Sequence, residues 1–287
     1  ITYGDWSSDV CSSDLLRRHP TLTRLESGVA VTDTLNVGSV AEFWKQWDRD
    51  VGCVLELHRK GVKFSTATHK DGGLSVSIDD PKFNDLGIFR DANLVSLTLQ
   101  ETAVSDLTPL VGLPLKYLYL IGNPVTDLSP IAGFPLIELK VRDMPVTDVS
   151  VLGRAPMCES LTYPWLEMLN VNDISPLAAC RSLHLLSLYK SPVADLSPLR
   201  GHRLEFVYLT GSRVRDLSAL ANMPLQEIFF DDTLVTDISP LQSTPTLKTL
   251  ILPAKARNVE ALKTLPKLAR LSFSYRSEEH TSELQSP

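Results

Sequence analysis

A five-residue phrase that returns at a nearly fixed interval constrains this chain more than any other feature. An acidic residue is followed by an apolar residue, a Ser or Thr, a Pro in most copies, and then Leu or Ile. The interval is 21 residues almost throughout, with 25 between Asp148 and Asp173 and 22 between Asp173 and Asp195. Clear copies begin at Asp106, Asp127, Asp148, Asp173, Asp195, Asp216 and Asp237, and weaker copies begin at Asp85 and Asn258. Such a period predicts stacked units that share one core.

A second phrase, L-x-x-L-x-L, ends seven residues before most of these acidic residues. Its last two apolar positions are two residues apart, so they point to one face of a strand. The residues between them point to the other face. Examples are Leu94-Leu97-Leu99, Leu115-Leu118-Leu120, Leu183-Leu186-Leu188 and Leu225-Ile228-Phe230. Each unit is therefore predicted to contribute one strand with a buried row and an outward row of side chains.

With these two phrases the chain resembles the leucine-rich repeat family, most closely the short bacterial type found in internalin-like proteins. The resemblance covers residues 73–275 in about ten units. It implies an α/β fold, a right-handed solenoid with a parallel β-sheet on its concave face and short 3₁₀ or α-helices and turns on its convex face. In the family a small polar residue after the strand bonds to neighbouring backbone, and here that residue is Thr102, Asn123, Ser191, Ser212 or Thr233.

The Ser/Thr-Pro pair within the five-residue phrase predicts the start of a short helix. We expect the hydroxyl to cap the helix and the proline to fill its first position, where the missing N–H costs nothing. The recurrent aspartate is either a turn or cap residue or one step of a calcium ladder. Calcium needs several oxygen ligands, and each unit offers a single carboxylate between apolar neighbours. We therefore favour the structural role.

The two ends of the chain differ in composition from the repeats. DNA encoding DWSSDVCSSDL, from Asp5, can be the reverse complement of DNA encoding RSEEHTSELQS, from Arg276. That DNA resembles a common sequencing adapter joined to both ends of an insert. We interpret residues 1–15 and 276–287 as adapter-derived rather than as natural polar tails, and we expect neither segment to pack against the repeats.

Two further segments precede the repeats. Residues 16–38 resemble the end of an earlier array and a linker, because LRRHPTLTRL from Leu16 matches LKTLPKLARL from Leu262 at five offsets. Residues 39–72 predict an N-terminal capping helix and cap region, since S-x-x-E from Ser39 has capping-box spacing. Phe43, Trp44, Trp47 and Val51 would share the helical face that covers the end of the core, or the aromatic side chains among them would form a ligand site.

This arrangement resembles large bacterial proteins that join several such arrays, some of which carry an N-terminal serine/threonine kinase domain. The kinase signatures G-x-G-x-x-G, H-R-D and D-F-G are absent from the sequence. A kinase activity would therefore belong to a region outside this sequence.

Charge and cysteine content argue against several classes of function. The formal charge of −6 includes −5 from the two end segments, which leaves residues 16–275 close to −1. Such a chain has no global field that attracts nucleic acid or an anionic membrane, and no apolar run reaches the roughly 18 residues of a membrane span. Cys53, Cys158 and Cys180 have no C-x-x-C spacing, which disfavours a disulfide framework or a zinc site. We expect a monomer without cofactor or metal.

No motif supports catalysis. The phrases H-E-x-x-H, G-x-S-x-G and the Walker motif are absent, and the histidines lack ligand spacing. His184 and His202 occupy variable positions of the repeat, where a solvated side chain is expected. The chain is therefore predicted not to be an enzyme.

Binding is better supported, because the residues between the L-x-x-L-x-L leucines line the concave sheet. Six of them are aromatic, and exposed aromatic side chains typically mark interaction sites. The alternative is that they only stack to stabilise the sheet. A triplet of mixed charge lies between two aromatic groups and would set specificity. The predicted partner-binding residues are Tyr117, Tyr119, Glu138, Lys140, Arg142, Trp165, Tyr189, Phe206, Tyr208 and Phe229.

One unit, around TYPWLEMLNVND, departs from the period. We interpret it as three extra residues between Tyr163 and Asp173, in a surface loop of the kind that insertions occupy. Ser160 and Thr162 would then be the concave residues of this unit. Trp165 would be either an anchor for a partner or a shield for the irregular turn.

Three functions remain compatible with the sequence. The first is a non-catalytic module that binds a protein or peptide on its concave aromatic face. The second is the sensor or scaffold portion of a bacterial serine/threonine kinase. The third is a structural spacer without a ligand.

Overall fold

The repeats form a solenoid of mainly parallel strands in the computed structural model, which describes residues 52–273. Within this range residues 52–59 are α-helical, and eleven strands then follow one another in a single sheet in the order of the sequence. The first two strands form an antiparallel hairpin, and every later strand is parallel to its predecessor. The strands are β1 Phe64–Thr68, β2 Leu74–Ile78, β3 Leu94–Gln100, β4 Tyr117–Ile121, β5 Glu138–Arg142, β6 Tyr163–Glu167, β7 Leu185–Ser187, β8 Phe206–Tyr208, β9 Glu227–Phe229, β10 Thr249–Ile251 and β11 Arg270–Ser272.

Short helices on the other side of the solenoid return the chain from each strand to the next. One is the α-helix Met157–Ser160, and the others are 3₁₀ helices, as predicted. Proline is the second residue in most copies, where its missing N–H removes no helical hydrogen bond. The 3₁₀ helices are Leu86–Phe89, Thr108–Leu110, Ser129–Ile131, Ser150–Gly153, Ser175–Ala179, Ser197–Leu199, Ser218–Leu220, Ser239–Ser243 and Val259–Thr264.

A single apolar core runs the length of the array between the sheet and these helices. Leu118 on β4 and Leu110 from the preceding helix are both fully buried, and the equivalent residues of the next units repeat the pattern. Burial of one such side chain contributes roughly 1.5–3 kcal/mol. Because one unit has no core of its own, that stabilisation exists only when neighbouring units are stacked.

Several sequence predictions concern residues outside the described range. The adapter interpretation of residues 1–15 and 276–287, the earlier array at 16–38 and the start of the cap at 39–51 all lie there. Of the cap region, helical residues 52–59 bring Cys53, Val54 and Leu57 into the core next to the first strands. The hairpin of β1 and β2 was not foreseen.

The small polar residue after the strand bonds to backbone in four of the five units where it was predicted, as the family resemblance implied, whereas the buried hydroxyl of Ser212 has no hydrogen-bond partner among the described residues. The Nδ2 of Asn123 donates to the carbonyl oxygens of Leu99, at 2.9 Å, and Ile121, at 3.1 Å. Its Oδ1 accepts from the backbone N–H and the hydroxyl of Thr102, at 3.1 and 2.6 Å. This one side chain therefore joins two consecutive turns with four hydrogen bonds.

The same position continues along the array as a column, which we call the polar column. The Ser191 hydroxyl donates to the carbonyl oxygen of Leu166 at 2.8 Å. In the two units between Asn123 and Ser191 the column is interrupted by Met144 and Leu169, which are buried apolar side chains. Apolar packing replaces backbone hydrogen bonding in this part of the array.

The recurrent aspartates cap the turns that open the short helices, which corrects the predicted role of the hydroxyl. In the copy at Asp127, the carboxylate Oδ1 accepts the backbone N–H of Ser129 at 2.7 Å. The Ser129 hydroxyl donates to the other carboxylate oxygen at 2.7 Å, so it holds the aspartate and does not cap the helix itself. The Asp195 and Ser197 pair repeats the same two contacts. The predicted structural role of the aspartate is confirmed.

These turns make stability depend on pH in the acid range. The pKa of Asp106 and that of Asp127 are lowered, first by the hydroxyl of Thr108 or Ser129 and then by the backbone N–H of the same residue. A lowered folded-state pKa stabilises the fold above the ordinary value of 3.8, and this stabilisation is lost as the pH falls through the lowered pKa. We expect the urea midpoint to fall below about pH 4, and to fall less steeply in the double variant Asp106→Asn, Asp127→Asn. Equal slopes in both proteins would contradict this role.

The long unit carries its extra residues on the return side of the solenoid. The distance from the first strand residue to the aspartate is the same in this unit, from Tyr163 to Asp173, as in its predecessor, from Glu138 to Asp148. The additional residues lie between Asp148 and Tyr163, where they form the α-helix Met157–Ser160. The predicted insertion between Tyr163 and Asp173 is therefore wrong. The outward-facing residues of this unit lie three positions later than predicted, at Tyr163 and Trp165 instead of Ser160 and Thr162.

Candidate partner-binding face

The parallel register places outward side chains from successive strands side by side. Two rows result, and neighbours within a row are one strand apart, about 4.8 Å. The first row contains Tyr117, Glu138, Tyr163, Leu185, Phe206 and Glu227. The second row contains Tyr119, Lys140, Trp165, Ser187, Tyr208 and Phe229.

Trp165 lies on the concave sheet and not in a surface loop. It is the middle residue of β6, in register with Lys140 on one side and Ser187 on the other. Because Ser187 is small and fully buried, the Trp165 and Tyr208 rings meet across it, with centroids 5.8 Å apart and planes 23° from parallel. The Tyr208 ring contacts Phe229 at 4.9 Å. We call Trp165, Tyr208 and Phe229 the aromatic stack.

Charged groups flank both ends of the aromatic stack. The Lys140 ammonium lies 5.5 Å from the centroid of the Trp165 ring, a cation–π distance. At the other end, the Tyr208 hydroxyl donates to the Glu227 carboxylate at 3.3 Å. The half-buried stack is therefore bounded by a cation on one side and a carboxylate on the other.

A buried carboxylate that the sequence analysis did not single out lies beside the stack. Glu167 as a whole residue is only 8% exposed, and its Oε1 accepts the Ser187 hydroxyl at 2.7 Å. Arg142 lies 3.9 Å from its other oxygen. Arg142 is thus partly neutralised, and of the mixed triplet Lys140 is the member that touches an aromatic ring. Glu167 could have been found from the in-register pairing of β5 with β6, which places it beside Arg142.

Tyr117 is much less accessible than the sequence predicted. It is 8% exposed, because the turn of the first hairpin covers it: the His69 ring lies 4.4 Å away, and the tyrosine hydroxyl donates to Asp71 at 2.7 Å. Burial, followed by the hydrogen bond and charge of Asp71, raises the pKa of Tyr117 to about 12. Burial, followed by the charge of Glu138, also raises the pKa of Tyr119. Tyr117 packs the hairpin onto the array.

The remaining predicted residues lie around the stack. Phe206 is half-buried in the first row next to Leu185, and Tyr189 follows β7 in a turn, with the Lys190 ammonium 5.2 Å from its ring. Tyr163 is 37% exposed and lies on the concave face. The sequence prediction missed it because the insertion had been placed after this residue. Ser160, predicted to be concave, lies in the return helix.

His202, expected to be solvated, is buried in the return side. Its two ring nitrogens lie 2.9 and 3.1 Å from the carbonyl oxygens of Leu199 and Leu177. The described residues contain no cluster of three or more His, Cys, Asp or Glu side chains arranged for a metal. The same part of the chain has no helix with the length and apolar character of a membrane span.

Comparison with known proteins gives structural matches only. No protein-family model and no curated protein matches the chain. Among solved structures, an internalin from Listeria monocytogenes is 26% identical with a TM-score of 0.56, over 69% of this chain and 66% of the internalin. Internalin C2 from the same species is 25% identical with a TM-score of 0.45, over 68% and 79%. A leucine-rich repeat protein of Leptospira interrogans is 15% identical with a TM-score of 0.40, over 66% and 62%. The chain spans just under two thirds of the first internalin.

Proposed function

We propose that this chain, which has an internalin-like leucine-rich repeat fold, is a non-catalytic module that binds a protein or peptide partner on its concave face. The aromatic stack is the observation that carries the proposal. Curved repeat arrays commonly present extended concave surfaces to other proteins. Within this array, the stack is the part of that surface with the largest aromatic side chains.

The mutual packing of the rings supports binding rather than excluding it. Trp165, Tyr208 and Phe229 are half-buried because they contact one another, and each still exposes part of its ring. Side chains already fixed by neighbours lose little rotamer entropy when a partner docks. Aromatic residues held in this way are the usual energetic centre of an interface.

The flanking charges would orient a partner along the sheet. Lys140 lies at one end of the stack and Glu227 at the other, so the polarity of the face changes along the array. A segment with an acidic residue near Lys140 and a basic residue near Glu227 would match this polarity, and reversal of the segment would juxtapose like charges.

The proposal is tested with the full chain and a displayed library of random peptides. We expect selected peptides to bind the native protein and to bind the double variant Trp165→Ala, Tyr208→Ala at least 10-fold more weakly, as measured by isothermal titration calorimetry. The control is Val111→Ala with Leu234→Ala, which shortens two exposed apolar side chains outside the strands. This control should retain the native affinity.

A fluorescence measurement links the selected peptides to the stack. Trp165 is the only tryptophan among residues 52–273, so the difference between the spectra of the native chain and Trp165→Phe isolates its emission. Peptide binding should shift that difference spectrum. If the double variant Trp165→Ala, Tyr208→Ala keeps full affinity for the selected peptides while its urea midpoint shows that it is folded, the concave face is not the binding site. If no peptide binds above background, the spacer interpretation is favoured.

A further inference from the structure

The first strand of the described sheet, β1, is an edge strand that lacks the usual protection against pairing with another chain. It is five residues long, whereas each strand from β7 to β11 has three. Its sequence, FSTAT, contains no charged residue and no proline, and it pairs with β2 without a bulge. Charges, prolines and bulges are the features that normally blunt a sheet edge. Four of the five residues are exposed, so the described part of the chain leaves β1 accessible.

Every second residue of β1 directs its backbone N–H and C=O away from the sheet. At the hairpin turn the N–H of His69 donates to the carbonyl oxygen of Gly73 at 2.9 Å. Because bonded and non-bonded residue pairs alternate along an antiparallel ladder, this contact specifies which residues of β1 bond to β2 and which do not. Within residues 52–273 the outward groups have no hydrogen-bond partner. The outward residues are Phe64, Thr66 and Thr68.

The cap helix of residues 52–59 lies at the same end of the array. Its Leu57 enters the core, whereas Leu55, on the opposite side of the helix, is 48% exposed. The His58 ring contacts the Phe64 ring, with centroids 4.8 Å apart, so helix and strand are adjacent. Together they form an end face that combines unpaired backbone groups with an exposed apolar side chain.

We propose that the protein forms a two-fold dimer in which β1 pairs antiparallel with β1 of a second copy. In the register that places Thr66 opposite Thr66 of the other copy, Phe64 stands opposite Thr68. Three residue pairs then each exchange two hydrogen bonds. The pairing brings no charges together within the strand, and the adjacent Lys63 already forms an ion pair with Asp79. A two-fold contact closes on itself, so it gives a dimer and not a filament.

A second copy fits this edge better than an unrelated strand does. β1 has no charged side chain that would select a foreign sequence, whereas its own copy matches it along the whole strand. The paired strands bury less than the roughly 1,200 Å² of a standard interface, so the dimer depends on concentration. Ser65 and Ala67 lie beside Ser77 and Ser75 on the concave side, and the two concave faces therefore join across the axis. The dimer replaces the monomer predicted from the sequence and does not depend on what the concave face binds.

Sedimentation velocity with the full chain tests the dimer. We expect the weight-average mass to rise towards that of two chains between roughly 5 and 500 µM. Thr66 faces itself across the axis, so Thr66→Glu and Thr66→Lys should each weaken association at least 5-fold, and an equimolar mixture of the two should restore it. Thr126→Glu makes the same exchange at an exposed threonine outside the strands and should leave association unchanged.

A backbone variant and hydrogen exchange locate the contact on β1. Thr66→Pro removes an outward N–H without adding charge, and an edge strand accepts proline in this orientation. The variant should keep the native urea midpoint and associate at least 10-fold more weakly. In hydrogen exchange followed by NMR, the N–H groups of Phe64, Thr66 and Thr68 should become protected as the concentration rises. Those of Ser65 and Ala67, which bond to β2, should be protected at every concentration.

Several results would overturn the dimer. A native chain that stays monomeric at the highest concentration excludes it. An association that folded Thr66→Glu or Thr66→Pro leaves intact, or that Thr126→Glu weakens equally, excludes β1 as the contact. Trp165→Ala with Tyr208→Ala should leave the dimer unchanged, which separates its failure from failure of the concave face.

Discussion

Replacement of Asn123 with alanine is expected to lower the free energy of unfolding by about 3 kcal/mol, since a buried polar group left without a partner costs roughly 1–3 kcal/mol. The change removes four hydrogen bonds and leaves the Thr102 N–H and the carbonyl oxygens of Leu99 and Ile121 without this side chain. Asn123 is 2% exposed, so water reaches these groups poorly. Urea denaturation followed by circular dichroism measures the effect.

Two further variants test whether the lost hydrogen bonds cause that decrease in stability. Asn123→Ser introduces the residue that other units use in the polar column, where the Ser191 hydroxyl reaches one carbonyl oxygen. It should recover part of the loss, because one of the four hydrogen bonds can form again. Asn84→Ala, at an exposed asparagine, should change stability by less than about 0.5 kcal/mol. A loss no larger than that in Asn123→Ala would show that the column contributes little.

Gly153→Ala should destabilise the array by about 2 kcal/mol, within the usual range for overpacking. An added Cβ would lie 2.8 Å from the carbonyl oxygen of Pro176 and 3.1 Å from its Cα, and backbone atoms cannot move aside as a flexible side chain can. The contact joins the return helices of two consecutive units, Ser150–Gly153 and Ser175–Ala179. The loss should be visible as a lower urea midpoint and a lower melting temperature.

Gly133→Ala is the matched control for this substitution. It lies on the return side of the preceding unit, has no heavy atom within 4 Å of an added Cβ and does not have a positive φ. The change should be neutral or stabilising by up to about 1 kcal/mol, because alanine reduces the freedom of the unfolded chain. Opposite signs at the two glycines are therefore expected. A similar loss of stability in both variants would mean that replacing glycine, and not the contact with Pro176, causes the effect.

The sequence predicted the parts of this structure that depend on period, and failed where period alone is ambiguous. A side-chain alternation of two, repeated every 21 residues, specifies the parallel register, and this places Lys140, Tyr208 and Phe229 on one face. The same alternation can be aligned in more than one way when a unit is longer. Trp165 was therefore assigned to a loop, and Tyr163 was overlooked.

Contacts between distant parts of the chain were not accessible from the repeat pattern. Tyr117 has the same sequence context as an exposed concave tyrosine, but the hairpin turn at Asp71, 46 positions earlier, covers it. The residue that caps each short helix was also mispredicted, although only neighbouring residues are involved. Ser and Asp both have acceptor oxygens suitable for a cap, and the backbone geometry of the turn gives the N–H to the aspartate.

The long unit shows how this architecture tolerates changes in length. Every unit from Glu138 to Phe229 keeps its strand in register with the next, although one return segment contains an additional α-helix. Insertions on the return side thus alter the outline of the solenoid without shifting the neighbours of any concave side chain. Such a protein can lengthen or shorten its outer surface during evolution while the pattern presented to a partner stays the same, so the two surfaces can diverge independently.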